Sequence, residues 1–343
     1  MIVKAHFSLR EWNSFGTEVQ ARWFVEVTRQ TEFQVFRQEH PELFKEVLVL
    51  GGGCNLLFVS DFPGLVIHPA FKGISVVRED ENHAWVQSGA GEIWDDLVAY
   101  TVQRGWGGLE NLSLIPGNVG AVPVQNIGAY GQEAGNVIAS VRGMDLITGE
   151  IWELEGAECW FGYRSSIFKE ELSGRFLVTS VVFRLDKHPQ LKLEYGELAA
   201  LANGGRVPTL QEVRDRIIAV RRSKLPDPAV MGNAGSFFKN PVVIEELAAL
   251  MKGRYPALPV YPAHEGYAKL SAGWLIDACG WKGFRRGDAG VHENHALVLV
   301  NYGHASGREI YLLSEEIRTS VMEKFGVELE REVQVIGILN PES

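Results

Sequence analysis

An α+β fold of two or three domains is what the sequence predicts, and three observations predict it. Strand-like and helix-like apolar patterns alternate along all 343 residues, with no internal repeat and no low-complexity segment. An uncharged, glycine-rich stretch from Asn111 to Gln132 interrupts that alternation near the centre. A capping-box sequence, Thr209-Leu210-Gln211-Glu212, opens a new helix beyond it. At ordinary domain sizes this length fills two or three domains, and a hydrophobic content of 46% suffices for their cores.

Taken in order, Arg22 to Thr28 predicts a strand, and Gln30 to His40 a short helix stopped by Pro41. Val47 to Leu50 and Leu65 to His68 are short apolar runs of strand length. Ala84-Trp85-Val86-Gln87 alternates, as a half-buried strand should. Glu92 to Arg104 puts Ile93, Leu97, Val98 and Thr101 on one helical face, with Gly105 as its stop. Past the glycine-rich centre come strands at Ile138 to Leu146 and Ile151 to Leu154, turned at Thr148-Gly149, and another at Phe176 to Arg184. Residues 186–207 form a polar insert with Tyr195 and a Gly204-Gly205 turn. The capping box contributes ~1 kcal/mol to a helix running to about Arg222, and a domain boundary is expected near Thr209. Helices follow near 244–252 and 271–279, then a strand at Ala296 to Val300. The Arg308 to Phe325 helix carries an Ile310, Leu313, Ile317, Val321 stripe and ends at Gly326. The final strand alternates Val327, Leu329, Val333 and Val335 against Glu328, Glu330 and Glu332.

The net charge of −10, with a pI near 5.5, argues against a nucleic-acid or anionic-membrane surface. Cys54, Cys159 and Cys279 lie far apart with no CxxC, so neither a zinc site nor a disulfide framework is indicated, and no metal is expected. The start MIVKAHFSLREW has no apolar signal region, and no apolar run approaches a membrane span. A cytosolic, reduced protein is the expectation.

The glycines of Asn111–Gln132 permit positive φ and close backbone approach, while Pro116 and Pro123 stiffen the turns between them. Peptide N–H groups held in this way make an anion-binding concavity without Lys or Arg. Composition alone reads equally well as an ordered loop packed on a sheet. A second cluster, Gly51-Gly52-Gly53-Cys54-Asn55-Leu56 after an apolar strand, favours a ligand. It is a poor dinucleotide fingerprint, because Leu56 replaces the third glycine and apolar residues follow Asn55, yet a tight βα-type turn over a phosphate fits it.

Five motifs occur in order: GGGCNLLF, SLIPGNVGAVPVQNIGAYG, YRSSIFK, GNAGSFFKNP and a terminal LEREV. Together they closely resemble the UDP-N-acetylenolpyruvoylglucosamine reductase family, FAD-dependent enzymes of peptidoglycan precursor synthesis, over essentially the whole chain. The insert bearing Tyr195 resembles the longer form of this enzyme. The resemblance implies a two-part FAD-binding platform of the vanillyl-alcohol-oxidase-like kind and a separate α+β substrate domain. Its boundaries are 1–73 and 74–222 for the platform, 223–326 for the substrate domain, and 327–343 for a strand returning to the platform, with 333–343 joining residues 1–73. It further implies non-covalent FAD held by Gly51, Gly52, Gly53, Cys54, Asn55, Leu56, Ser113, Pro116, Gly117, Gly120, Gln125, Asn126, Gly128, Ala129, Tyr130 and Gly131. NADPH is the implied co-substrate, UDP-N-acetylglucosamine enolpyruvate the substrate, and a monomer the implied state.

Such a reductase moves hydride from NADPH to flavin N5 and on to an enol ether carbon, which leaves an enolate to be protonated. A developing enolate calls for a cation and a hydrogen-bond donor, and its protonation for an acid within reach. Arg164, with a permanent charge and a fork that fits a carboxylate, suits the first role. Ser236 matches the serine that donates the proton in this family; a hydroxyl, though a weak acid, can protonate so basic a carbon. The resemblance selects Glu332, directly before the valine, as the group that orients the substrate carboxylate region together with Arg164. Gln334 stands where relatives often carry arginine. The resemblance also implies that Tyr195 and Lys224 hold the diphosphate, with Asn240, Tyr261 and Lys269 nearby and His295 as a further contact. Two other classes compete: an FAD oxidase of the same fold, in which Cys54 could tether the flavin, and a non-catalytic nucleotide-sugar binder. Neither accounts for Arg164, Ser236 and Glu332 at once.

Overall fold

The computed structural model describes residues 1–202 and 206–337. The predicted Gly204-Gly205 turn and residues 338–343 of the predicted terminal segment lie outside the described residues. In chain order come β1 (Val3–Ser8), β2 (Gln20–Val27), α1 (Gln30–Glu39), β3 (Val47–Val49), β4 (Leu56–Phe58), β5 (Phe62–Pro69), β6 (Ile74–Glu79), β7 (His83–Gly89) and α2 (Trp94–Gln103). The centre holds α3 (Val122–Gln125), β8 (Gly128–Ala129), β9 (Gln132–Glu133), β10 (Ile138–Asp145), β11 (Ile151–Glu155) and β12 (Phe176–Asp186). Then follow α4 (Ala199–Ala202), α5 (Leu210–Lys224), β13 (Gly232–Ser236), β14 (Val242–Ile244), α6 (Glu245–Arg254), β15 (Val260–Pro262), β16 (Tyr267–Leu270) and α7 (Ala272–Ala278). The chain closes with β17 (Arg285–Arg286), β18 (Ala289–Val291), β19 (Val298–Asn301), α8 (Gly307–Phe325) and β20 (Gln334–Ile336).

These elements form two compact units. The first comprises Met1–Phe7, Ala21–Gly52 and Pro63–Ser223. Its four-stranded sheet has the order β1-β2-β5-β3, and its five-stranded sheet the order β11-β10-β12-β7-β6. The five strands are antiparallel neighbours throughout, whereas β3 runs parallel to β5 in the smaller sheet. Helix α2 buries Trp94, Leu97 and Val98 in one cluster with Val178, Val181, Phe183 and Leu185 of β12. Helix α1 seals the smaller sheet with Phe33 and Phe36. Helix α5 starts at the predicted capping box: the Thr209 hydroxyl accepts the Glu212 N–H at 3.2 Å, and the Glu212 carboxylate accepts the Thr209 N–H at 2.8 Å. Within α5, Arg214 is buried because it forks onto Asp95 of α2 at 2.6 and 2.8 Å.

The second unit comprises Ser8–Gln20, Gly53–Phe62 and the chain from Lys224 onward. Its sheets are β13-β19-β18-β17, β14-β16-β15 and the parallel pair β20-β4. The predicted stripe of α8 is fully used, with Ile310, Leu313, Ile317 and Val321 at most 2% exposed. A Ser306–Glu309 capping box starts this helix, and Gly326 at φ +66° ends it.

Two expectations are corrected. The GGGCNL turn leads into strand β4, not into a helix. Leu56-Leu57-Phe58 finds its ladder with Gln334–Ile336, nearly 280 residues away, and that distant pairing outweighs local propensity. The terminal alternation is not one long strand, because the segment changes partners partway. Glu330 O and Glu332 N bond to Lys239 N and Phe237 O at 2.9 and 2.8 Å, and Gln334 N then turns to Asn55 O at 3.1 Å. Most of the predicted burial survives: Val327, Leu329 and Val333 are buried and Glu328 and Glu330 exposed, while Glu332 and Val335 are both half-buried. Strands β1, β6, β8, β9 and β13 to β18 are additional; those from β8 onward are two to five residues long, too short for a periodic signal. Of these, β1 and β6 are largely exposed, so they carry little of the apolar signal by which strands are read.

Candidate functional site

The glycine-rich stretch of the first unit is an ordered scaffold, with much of its polarity turned inward. Asn126 adopts a left-handed backbone at φ +43°. Its side-chain oxygen accepts the Gly135 N–H at 2.8 Å, and its nitrogen donates to Gly162 O at 2.8 Å and to Glu133 at 3.1 Å. Ser113 is wholly buried and donates to Glu110 O at 2.6 Å. The amides of Val119 and Gly120 donate to Glu92 and Ala90 carbonyls at 2.9 and 2.8 Å. Gln125 accepts from Lys169 at 3.2 Å. Gly117 and Gly131 differ from these, with φ of +122° and +79° and no atom within 4 Å of where a Cβ would stand. Such bare peptide faces suit close approach by a diphosphate-bearing ligand. Gly51 is roomy too: a Cβ there would only touch Ala121 and Asn118 at 3.7–3.9 Å.

Arg164 sits at the tip of a tight turn in which Gly162 and Ser165 exchange backbone hydrogen bonds at 3.0 and 3.2 Å. Its φ is +56°, a conformation that costs a non-glycine residue about 1–2 kcal/mol. One guanidinium nitrogen donates to Gly128 O at 2.6 Å, and Lys169 donates to the Arg164 carbonyl at 3.0 Å. The YRSSIFK motif is thus tied to the glycine-rich stretch, and its strained residue is the one predicted to be catalytic. Tyr195 lies half exposed, its ring edge-on to Tyr130 with centroids 6.3 Å apart.

In the second unit, Ser236 ends β13 opposite Val298, just after Gly235 at φ +70°. The Glu332 N–H donates to the carbonyl of Phe237, the next residue along, and Glu332 O accepts from the Asn55 side chain at 3.2 Å. Ser236, Glu332 and Asn55 therefore lie on three adjoining stretches of backbone. Arg331 anchors the middle stretch to α8, donating to Ser314 at 3.2 Å and pairing with Glu315. Lys239 is engaged by Glu330. Tyr261 of β15 stands directly opposite Lys269 of β16, and Asn240 accepts the Ala272 N–H at 3.0 Å at the start of α7. His295 precedes β19. Burial lowers its pKa, helped by the positive charge of His292, Lys224 and Lys282, and its Nδ1 is buried with no partner among the described residues. Around Gly53, at φ +62°, a Cβ would fall 2.0 Å from Trp12 O. Partial burial pushes the neighbouring Cys54 thiol up to about 11.

Arg221 and Lys192 are polar groups at the glycine-rich stretch that the sequence reading did not single out. Arg221 Nε donates to Leu114 O at 3.2 Å, and burial lowers its pKa against the opposing effects of Tyr130 and Asp95. Lys192 donates to Gln132 Oε1 at 2.6 Å. Burial raises the carboxyl of Glu110, which accepts the Gly108 N–H at 2.6 Å. In sequence, Arg221 is one cation of an Arg-Arg-Ser-Lys run, and the helix that aims it inward is what distinguishes it.

Residues 24–155 match the family model of an FAD binding domain, and residues 227–336 match that of the UDP-N-acetylenolpyruvoylglucosamine reductase C-terminal domain. The UDP-N-acetylenolpyruvoylglucosamine reductase of Chromobacterium violaceum is 50% identical over 338 residues, 97% of this chain and 98% of that protein. The solved reductase of the same name from Thermus caldophilus shares the fold at a TM-score of 0.69 and 23% identity, over 98% of this chain and 100% of that one. 6-Hydroxy-D-nicotine oxidase from Arthrobacter nicotinovorans shares it more distantly, at a TM-score of 0.52 and 13% identity, over 95% and 86% of the chains. Fold and matches define an oxidoreductase with an FAD-binding domain and an α+β architecture. The chain belongs to the UDP-N-acetylenolpyruvoylglucosamine reductase family, and so to the enzymes of peptidoglycan precursor synthesis.

Proposed function

We propose that the protein uses NADPH to reduce UDP-N-acetylglucosamine enolpyruvate to UDP-N-acetylmuramate, acting as a cytoplasmic monomer. FAD, when bound, supplies the hydride relay between the two substrates. Arg164 stabilises the developing enolate, and its rigid, strained turn supports that role because a preorganised cation loses least to reorganisation. Ser236 gives its hydroxyl proton to the enolate carbon, and Glu332 orients the carboxylate region of the substrate. The observation that supports this reading is the hydrogen bond from Glu332 N–H to Phe237 O, a backbone contact one residue along from the proposed proton donor Ser236. Residues 1–73 and 74–222, with 333–343, serve the flavin, and 223–326 serve the sugar nucleotide.

The flavin is held without a covalent bond. A thiol raised to about 11 is almost entirely protonated at neutral pH and a poor nucleophile, which argues against a Cys54 tether. Purified protein is expected to be yellow and to release one FAD per chain on acid precipitation. A colourless preparation that takes up no added FAD would sink the reading, and a flavin that stays with the precipitate would favour the oxidase class.

Lys224 and Tyr195 hold the diphosphate, with Asn240, Tyr261, Lys269 and His295 completing the substrate contacts. Lys224→Ala and Tyr195→Phe are each expected to raise KM for the sugar nucleotide about 10-fold, the size of one charge-assisted hydrogen bond. The rate of flavin reduction by NADPH should stay at the parent value. Unchanged substrate kinetics in both variants would count against the assignment.

A further inference from the structure

The polar insert that bears Tyr195 has no regular structure from Pro189 to Glu194, so something other than a ladder must hold it. Its apolar hold is Leu198, wholly buried against Val213 and Ile217 of α5, with Leu191 and Leu193 packed beside them. Its polar hold is Asn111. This side chain is only 2% exposed, and its single nitrogen donates both to Tyr130 O at 2.8 Å and to Lys192 O at 2.9 Å. One bond reaches the glycine-rich stretch and the other the insert. Both partners are carbonyls, so the amide cannot be reversed without losing both. Its oxygen accordingly faces a buried place where it finds no donor among the described residues. An orphaned buried acceptor is costly, and the two donated bonds are what that cost secures. Lys192 answers from the insert side, reaching Gln132 Oε1 at 2.6 Å and Gly131 O at 3.4 Å. The two residues thus bridge the same pair of segments in opposite directions, three residues before Tyr195, and the Tyr195 ring lands on Tyr130, the residue whose carbonyl Asn111 holds.

We infer that Asn111 is a positioning residue for the sugar-nucleotide diphosphate: with Lys192 it clasps the insert to the glycine-rich stretch and so sets where the Tyr195 phenol stands. The inference rests on the proposed role of Tyr195 as a diphosphate ligand. It predicts an effect on substrate KM from a residue that is almost wholly buried and whose side-chain bonds go to backbone carbonyls.

The test uses the FAD-loaded full chain with Asn111→Leu, which keeps the volume and removes the amide, and with Lys192→Met, a partly exposed change that spares the fold. Two readouts are taken, hydrogen exchange of the 187–198 amides and steady-state kinetics. Faster exchange confined to that segment, with KM for the enolpyruvyl nucleotide raised on the order of 10-fold and kcat within about twofold, is the expected result. In a Tyr195→Ala background, Asn111→Leu should add less than about twofold, because the residue it positions is gone. Unchanged exchange in both variants would overturn the clasp. Faster exchange with unchanged KM, or a full additional KM increase in the Tyr195→Ala background, would overturn its action through Tyr195. Tyr195→Ala with parent KM would instead remove the diphosphate role of Tyr195, and the exchange data would then decide the clasp on their own.

Discussion

Ser236→Ala is expected to keep its FAD, to be reduced by NADPH at nearly the parent rate, and to lose about 10²–10⁴-fold in its reoxidation by the enolpyruvyl substrate, the range typical of a lost general acid. The separation follows from the chemistry of the two half-reactions. Hydride delivery from NADPH needs no proton from this side chain, whereas quenching the substrate enolate does. The structure makes the substitution clean. Ser236 closes β13 against Val298, and the left-handed residue in its turn is Gly235, so alanine fits the same backbone at position 236. Ser236→Cys should retain more activity than Ser236→Ala, because a thiol can still donate. Stopped-flow measurement of both half-reactions decides the matter. Equal slowing of the two would mean that Ser236 shapes the flavin pocket, and a normal second half-reaction would mean that another group delivers the proton.

Much of the fold was legible because most long elements carry a local signal. Helix α8 declares itself by its Ile310 to Val321 stripe, its Ser306 cap and its Gly326 stop, and α5 by the Thr209 box; each signal sits within one element. What escaped the reading depends on partners far away in sequence. Strand β4 is three apolar residues that become a strand only because Gln334–Ile336 pair with them. The terminal segment looked like one strand because its burial alternates, but alternation reports which side chains face the core and not which backbone they bond. The exchange of partners between Phe237 and Asn55 has no signature in the order of its residues.

The candidate site divides along the same line. Its motif residues were found because each lies in a short run of distinctive composition. Their geometry was not. Nothing in Tyr-Arg-Ser-Ser announces that Arg164 takes φ +56° and leans on Gly128, and nothing in the glycine-rich stretch tells a glycine in open space, such as Gly117, from an asparagine wholly committed to the protein, such as Asn126. Arg221, Lys192 and Asn111 went unread for the same reason. Singly they are ordinary residues, and only the fold shows that Asn111 and Lys192 make hydrogen bonds between the insert and the glycine-rich stretch and that Arg221 lies half-buried beside Leu114.

Gly53→Ala is expected to damage the protein severely. The residue has φ +62°, which costs an alanine roughly 1–2 kcal/mol. Its added Cβ would meet Trp12 O at 2.0 Å, Trp12 C at 2.8 Å and Asn13 Cα at 2.9 Å. These are backbone atoms and cannot swing aside as a side chain would. They are held in place, because Ser14 N–H donates to the Gly53 carbonyl at 3.1 Å. Relief requires the 12–14 segment to lift from the turn, which also disturbs the start of β4 and the Asn55 contact to Glu332. Together the terms amount to about 3–5 kcal/mol, at the severe end for a single substitution. Urea titration of the flavin-free protein should show the loss as a lower midpoint at unchanged slope, and the purified variant should carry much less FAD than the parent. Gly253→Ala is the control: it lies inside α6 with no atom within 4 Å of its Cβ, and alanine there should gain about 0.5–1 kcal/mol. A Gly53→Ala variant within about 1 kcal/mol of the parent and fully yellow would mean that the turn accepts another backbone course, and that the glycine at 53 is required neither by the fold nor by the flavin.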